Sequence, residues 1–216
     1  MPLHGSRAPA VVYRVIDRCH DNAVDDGGGK RVVPEALPLA RTNAEARLFL
    51  QLQPCPRCGS ADCVFRSTVV TVDGVLAGRY RGDCPGCGTV RTYEFRVPDE
   101  VLPPPAGTVR FGADIPSELM DPGVWLWYSD ICGSRVPADA DTLDEQGRRA
   151  ARHALATALA AVEEVLKFLP SGVERLTRSA CTTERGRAIY DREPARLTRT
   201  RLEAVRDAYA QRLEAW

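Results

Sequence analysis

Four cysteines form two Cys-x-x-Cys pairs, Cys55 with Cys58 and Cys84 with Cys87, and 25 residues separate the pairs. Four thiolates at this spacing are the usual ligand set of a closed, four-coordinate structural zinc site. In each pair a proline follows the first cysteine and a glycine follows the second, so the chain turns tightly and backbone N–H groups can point at sulfur. The sequence therefore predicts one structural Zn²⁺ ion per chain.

The residues between and after these pairs predict the strands that position them. Two runs with strand-like composition, 64–72 and 75–83, flank Asp73-Gly74, a dipeptide typical of a tight primed hairpin turn. The run 89–97 alternates apolar and polar residues and stops at Pro98. We expect a three-stranded antiparallel sheet that carries both cysteine pairs.

Residues 53–98 resemble the zinc-ribbon superfamily, and the repeated C-P-x-C-G knuckle at hairpin spacing carries the resemblance. It covers about a fifth of the chain. The resemblance implies a structural zinc ion held by Cys55, Cys58, Cys84 and Cys87. It implies little about function, because zinc ribbons serve nucleic-acid binding, protein docking and enzyme insertion alike.

Two other interpretations of the cysteines compete with a structural zinc site, and the second is set aside. The two dithiols could act as a redox sensor that releases zinc on oxidation, although a thioredoxin-like motif opens a helix and these pairs adjoin strands. Cys63 could replace a ligand, but its spacing is poor and no knuckle glycine follows it. Cys19, Cys132 and Cys181 stand alone, as expected of small buried hydrophobes or surface thiols.

Length and composition favour one larger domain with an embedded metal module. The chain has 216 residues and no formal net charge, and no apolar run approaches the roughly 20 residues of a transmembrane helix. The first residues lack an apolar signal core, so we expect a cytoplasmic protein without a membrane partner. Arginine greatly outnumbers lysine, a bias typical of GC-rich bacterial genomes.

The arginines of the predicted ribbon suggest a possible nucleic-acid partner. Residues 98–147 hold two basic and ten acidic side chains, whereas residues 148–216 hold fourteen basic and nine acidic ones, so the chain lacks the strong basic bias of a dedicated nucleic-acid binder. The ribbon still interleaves arginines with aromatic residues and could stack on bases. These arginines, otherwise solvated surface residues, are Arg66, Arg79, Arg81, Arg91 and Arg96.

A tryptophan-rich segment is the second candidate binding feature. Asp121 is placed as an N-cap with Pro122 at the first helical position, which predicts a short apolar helix over 124–132. The aromatic side chains Trp125, Trp127 and Tyr128 could anchor a protein partner, or fill the core. The nearby carboxylates Glu118, Asp121 and Asp130 are candidates for acid–base work, although capping and solvation also explain them.

Helical patterns occupy the rest of the chain. A capping box at Thr42–Glu45 starts a helix that runs into the first knuckle, and we expect this helix to pack on the ribbon. Apolar stripes predict helices over 141–169 and 198–216 with a shorter one over 183–192, which together form a helical hairpin or bundle that could dimerise. The predicted segments are an N-terminal strand, loop and helix (1–52), the ribbon (53–98), a Pro-rich spacer with the tryptophan helix (99–140) and the helical bundle (141–216).

The predicted fold class is α+β: a zinc ribbon embedded in a chain with a mainly helical C-terminal third. Its three histidines lie in unrelated contexts and no recognisable active-site motif accompanies them, so the expectation leans away from an enzyme. The favoured function is a structural-zinc interaction or adaptor protein with a protein partner. A nucleic-acid-binding ribbon and a zinc/thiol redox sensor are the alternatives.

Overall fold

The structure is a computed structural model that describes residues 36–99, 108–137 and 143–215. Within these ranges it contains one three-stranded antiparallel sheet and five α-helices, which confirms the mixed α+β class. The predicted strand at 10–16 and the proline spacer at 103–105 lie outside the described residues. The described chain divides into two compact units, a ribbon unit (36–38 and 53–96) and a helical unit (39–52 and 97–215).

The ribbon unit is a meander of three strands in the order β1-β2-β3. The strands are β1 (Arg66–Val72), β2 (Val75–Asp83) and β3 (Val90–Arg96). Val72 pairs with Val75 across a two-residue turn in which Asp73 and Gly74 both have positive φ, 49° and 82°. Positive φ at both central positions is the geometry of a type I′ turn, so the predicted primed hairpin is confirmed.

One face of this sheet forms the small core of the ribbon. The rings of Tyr80 and Phe95 are buried with centroids 5.7 Å apart, and Phe65 meets Tyr93 edge to face at 5.6 Å. Such a core buries little apolar surface, and domains this small usually need a metal or disulfides to remain folded.

The described residues of the helical unit form five α-helices and two short 3-10 helices, Arg178–Ala180 and Pro194–Leu197. Helix α3 packs against α2 and α5, and α2 also packs against α4. In the predicted apolar stripes, Leu155 and Val162 of α3 and Leu202 of α5 are fully buried, whereas Leu159 and Leu166 of α3 are half-buried. None of the described helices is long and apolar enough to cross a membrane. The α-helices are α1 (Asn43–Gln51), α2 (Pro122–Ser134), α3 (Glu145–Leu166), α4 (Glu184–Arg192) and α5 (Arg199–Glu214).

Helix α1 belongs with Leu39–Leu52 to the helical unit, and its packing on the ribbon stays a prediction. Its cap is as predicted, because Thr42 Oγ1 accepts the Glu45 N–H at 3.0 Å. The Glu45 carboxylate does not complete the box at Thr42; it accepts the backbone N–H of Arg41 at 2.8 Å. Glu45 is fully buried among charged groups of the helical unit, which explains the assignment of α1.

Candidate metal centre

The two cysteine knuckles have the same backbone geometry. In the first, Gly59 N donates to Cys55 O at 2.8 Å and Cys55 N donates to Ser60 O at 2.7 Å. The second repeats the pattern with Gly88, Cys84 and Thr89 at 2.8 and 2.9 Å. Both glycines have positive φ, 77° and 71°, which other residues adopt only with strain. The glycines thus allow the chain to reverse after the second cysteine, so that the residue following each glycine accepts the N–H of the first cysteine.

The knuckles bring the four predicted sulfur ligands together. The Sγ atoms of Cys55, Cys58, Cys84 and Cys87 all lie within 4.8 Å of one another, a cluster that could hold a metal ion. Across the knuckles, Cys55 Sγ is 3.7 Å from Cys87 Sγ and Cys58 Sγ is 3.4 Å from Cys84 Sγ. Tetrahedral coordination with Zn–S bonds near 2.3 Å separates sulfurs by about 3.8 Å, so the cluster fits such an ion.

Local hydrogen bonds prepare some of these thiols for deprotonation. Hydrogen bonds from the Thr89 hydroxyl and backbone lower the pKa of Cys87 to about 6. Burial alone would raise the pKa of Cys55, but the N–H groups of Cys58 and Arg57 bring that pKa below its usual value. The N–H of Ser60 favours the Cys58 thiolate, yet the neighbouring sulfurs outweigh it and raise the pKa of Cys58 to about 12. A divalent cation would therefore have to displace protons from the cluster.

Cys63 lies outside the sulfur cluster. Its thiol faces the Asp83 carbonyl oxygen at 3.6 Å, and burial raises its pKa while the charge of Arg91 acts in the opposite direction. Cys132 and Cys181 are buried in the helical unit, in keeping with their interpretation as small hydrophobes. Cys19 is outside the described residues.

The five ribbon arginines do not share one face. Arg66 is paired directly with Arg81, and Thr68 with Arg79, so Arg66, Arg79 and Arg81 project from the same side of the sheet, where all three are exposed. Arg96 has the same parity but is half-buried, and its Nε donates to Leu37 O at 3.0 Å.

Arg91 belongs to the opposite, aromatic face and is buried. Its Nη2 donates to Gln53 O at 2.8 Å and to Tyr93 Oη at 2.7 Å, and its guanidinium lies 5.1 Å from the Phe65 ring centroid. Tyr80, Tyr93 and Phe95 are on the same face as Arg91. The sequence predicts that arginines and aromatic rings share one face that stacks on bases. In the structure the exposed arginines and the aromatic rings lie on opposite faces of the sheet.

The three aromatic candidates of α2 have different environments. Trp125 is fully buried with its ring centroid 4.9 Å from that of Phe111. Tyr128 is half-buried, meets Phe111 edge to face at 6.2 Å, and has its pKa raised to about 12 by burial. Trp127 is half-buried beneath the Arg185 guanidinium at 4.0 Å. Trp125 thus fills the core, and only Trp127 and Tyr128 retain surface.

The carboxylates considered for acid–base chemistry serve as structural acceptors. Glu118 Oε2 accepts the Leu39 N–H at 2.8 Å, and Asp130 forms a two-pronged ion pair with Arg196 at 2.6 and 2.8 Å. Asp121 caps α2 by accepting the Val124 N–H at 2.9 Å. Its second oxygen accepts the N–H and hydroxyl of Thr183, each at 2.7 Å, at the N-cap of α4. One carboxylate therefore joins the starts of two helices.

Sequence reasoning missed a buried charge network in the helical unit. Arg41 donates to Glu45 and Glu164, and Lys167 Nζ donates to Glu164 Oε1 at 2.6 Å. Ser117 Oγ donates to Glu45 Oε1 at 2.6 Å. The network balances two cations against two carboxylates, which makes its burial tolerable. The one local signal was an acidic residue, Glu164, among the buried alanines of α3.

No protein-family model matches the chain, and no curated protein or solved structure shows significant similarity to it.

Proposed function

We propose that this protein is a zinc-dependent interaction protein, in which one Zn²⁺ ion held by Cys55, Cys58, Cys84 and Cys87 folds a zinc ribbon that docks a partner. The observation that carries the proposal is the convergence of the four Sγ atoms within 4.8 Å. Zinc suits this set because four thiolates in a tetrahedron are its usual structural ligands. A fourth thiolate fills the position that a catalytic zinc keeps for water, so the bound ion stabilises the fold.

The surface of the ribbon supports a role in binding. Of the seven large hydrophobic side chains exposed in the described part of the chain, five belong to the ribbon unit: Val64, Val69, Val75, Leu76 and Val90. Val69 is 70 % and Leu76 54 % exposed, and their register places them near each other on one face beside the hairpin turn. Exposed apolar groups on a rigid sheet are suited to contact a protein partner.

Site-specific crosslinking in cells tests this role. A photo-crosslinking amino acid replaces Val69 in the full chain, and in a matched control it replaces Val173, an exposed valine of the helical unit. The proposal expects a discrete adduct from position 69 that is absent from position 173 and disappears with Cys84→Ser. Equal adducts from both positions, or an adduct that survives loss of the metal ligand, would contradict it.

A further inference from the structure

Three arginines and two threonines form an exposed polar face on the ribbon sheet. Arg66 on β1 lies directly opposite Arg81 on β2, and Arg79 lies two residues from Arg81 along β2. Thr68 and Thr92 project from the same side, because they pair with Arg79 and Arg81. All five side chains are exposed. We call this set the arginine face.

The charges of the arginine face are incompletely compensated. Arg79 Nε donates to Glu94 Oε1 at 2.7 Å, so this guanidinium has a carboxylate partner. Arg66 and Arg81 form no ion pair with any carboxylate in the described part of the chain, including Asp83, which lies on the same side of the sheet. Like charges directly opposite each other destabilise a sheet. An anion between the two guanidinium groups would remove that repulsion.

The spacing of these groups suits a repeating polyanion. At about 3.3 Å rise per residue, the Cα atoms of Arg79 and Arg81 are about 6.6 Å apart along the strand, and directly opposed residues such as Arg66 and Arg81 are about 5 Å apart. A nucleic-acid strand carries one phosphate per about 3.4 Å of its axis, and successive phosphates are farther apart than this rise because they wind around the outside of the strand, so neighbouring phosphates are comparable to the Arg79–Arg81 spacing. A guanidinium group can donate two parallel hydrogen bonds to two oxygens of one phosphate, and the threonine hydroxyls can donate to the same oxygens.

We propose that the arginine face binds the sugar–phosphate backbone of a nucleic acid, with Arg66 and Arg81 sharing one phosphate. The proposal rests on the proposed function only in requiring the metal-folded ribbon. Base identity is not read, because the rings of Tyr80, Tyr93 and Phe95 project from the other face and Arg91 is buried with them. The expected binding is therefore sensitive to salt and insensitive to sequence.

Fluorescence anisotropy with labelled single-stranded and double-stranded oligonucleotides tests the proposal on zinc-loaded full-length protein. The variant Arg66→Glu/Arg81→Glu reverses the two uncompensated charges. The control Arg47→Glu/Arg201→Glu makes the same change in net charge at two exposed positions of α1 and α5. We expect at least a tenfold loss of affinity in the first variant and less than a twofold loss in the control. We also expect the slope of log K against log salt to become shallower by about 0.7 for single strands, from the one phosphate contact that Arg66 and Arg81 share.

Several outcomes would overturn the proposal. They are no nucleic-acid binding at low salt, equal losses in both double variants, a tenfold preference among homopolymers, or binding to polyglutamate or anionic vesicles that matches binding to nucleic acid. The zinc content of each sample distinguishes a failure of the nucleic-acid inference from a failure of the proposed zinc-dependent function. A ribbon that holds its metal and gives the Val69 adduct but binds no oligonucleotide refutes only the nucleic-acid inference, whereas a chain without metal refutes the proposed function.

Discussion

The guanidinium of Arg41 and the carboxylate of Glu164 are 123 residues apart in sequence and joined by a 2.7 Å hydrogen bond from Nη2 to Oε2. Both side chains are almost completely buried, at 1 % and 2 % exposure. Removing one partner of a buried ion pair leaves an uncompensated charge in the interior, which typically costs about 3–5 kcal/mol. The segment before α1 is therefore held to α3 by a buried ion pair.

This relationship predicts the effect of Glu164→Ala. We expect it to lower the free energy of unfolding of the helical unit by about 3–5 kcal/mol, since Arg41 and Lys167 lose their shared acceptor. Urea denaturation followed by the helical circular dichroism signal measures the loss. The control is Glu145→Ala, which breaks exposed pairs with Arg148 and Arg149 and should cost at most about 1 kcal/mol. Equal losses in the two variants would refute the importance of the buried network.

The shared cap at Asp121 predicts a second difference. Asp121→Ala removes acceptors from the first turn of α2 and from Thr183 at the start of α4, whereas Asp144→Ala removes only the cap of α3 at Gly147 N. One N-cap contributes about 1 kcal/mol, so we expect a loss of about 2–3 kcal/mol for Asp121→Ala and about 1 kcal/mol for Asp144→Ala. Thermal and urea unfolding measure the free energy of unfolding of both variants. Similar losses in the two would contradict the role of Asp121 at the starts of both α2 and α4.

The two tryptophans of α2 should differ in the same way. Trp125 is fully buried, so Trp125→Ala leaves a cavity and is expected to cost about 3–5 kcal/mol. Trp127 keeps a solvent-exposed edge beneath Arg185, so Trp127→Ala should cost less than about 2 kcal/mol. Urea unfolding of the two variants provides the measurement. A larger loss for Trp127→Ala would show that the core has been assigned to the wrong side chain.

The sulfur cluster predicts which cysteines the ribbon needs. Cys84→Ser removes a buried thiol of the sulfur cluster. We expect the dispersed amide signals of the ribbon to disappear from the NMR spectrum, because metal binding and folding are linked in zinc modules of this kind. Cys63→Ser changes a cysteine of the same unit that lies outside the cluster. We expect this variant to keep the dispersed amide signals of a folded ribbon. A folded Cys84→Ser ribbon would mean that the metal does not maintain this fold.

The features predicted correctly from the sequence depend on contiguous residues. The Asp73-Gly74 turn and the Asp121 cap each follow from residue types a few positions apart, and the structure has both. The prediction that all five ribbon arginines could share a face with the aromatic residues was incomplete, because successive side chains of a strand point to opposite faces of the sheet. Arg91 shares its parity with Tyr93 and Phe95, so a three-stranded register already places it on the aromatic face.

Long-range partners could not be predicted from these patterns. Nothing near Arg41 indicates that its partner is Glu164, and nothing near Asp121 indicates Thr183, 62 residues further on. A core role for the α2 rings was one of the two interpretations offered, but the face of α2 that packs on α3 could not be predicted, for a similar reason. Helix α2 is apolar nearly all round, so its sequence pattern does not identify the face that contacts a neighbour.

The central claim is that four thiolates hold one zinc ion, and elemental analysis of the purified full-length protein tests it most directly. The account predicts about one zinc per chain, retained by Cys63→Ser and lost from Cys84→Ser. A chain that purifies folded without zinc, or a Cys84→Ser variant with undiminished zinc, would contradict it.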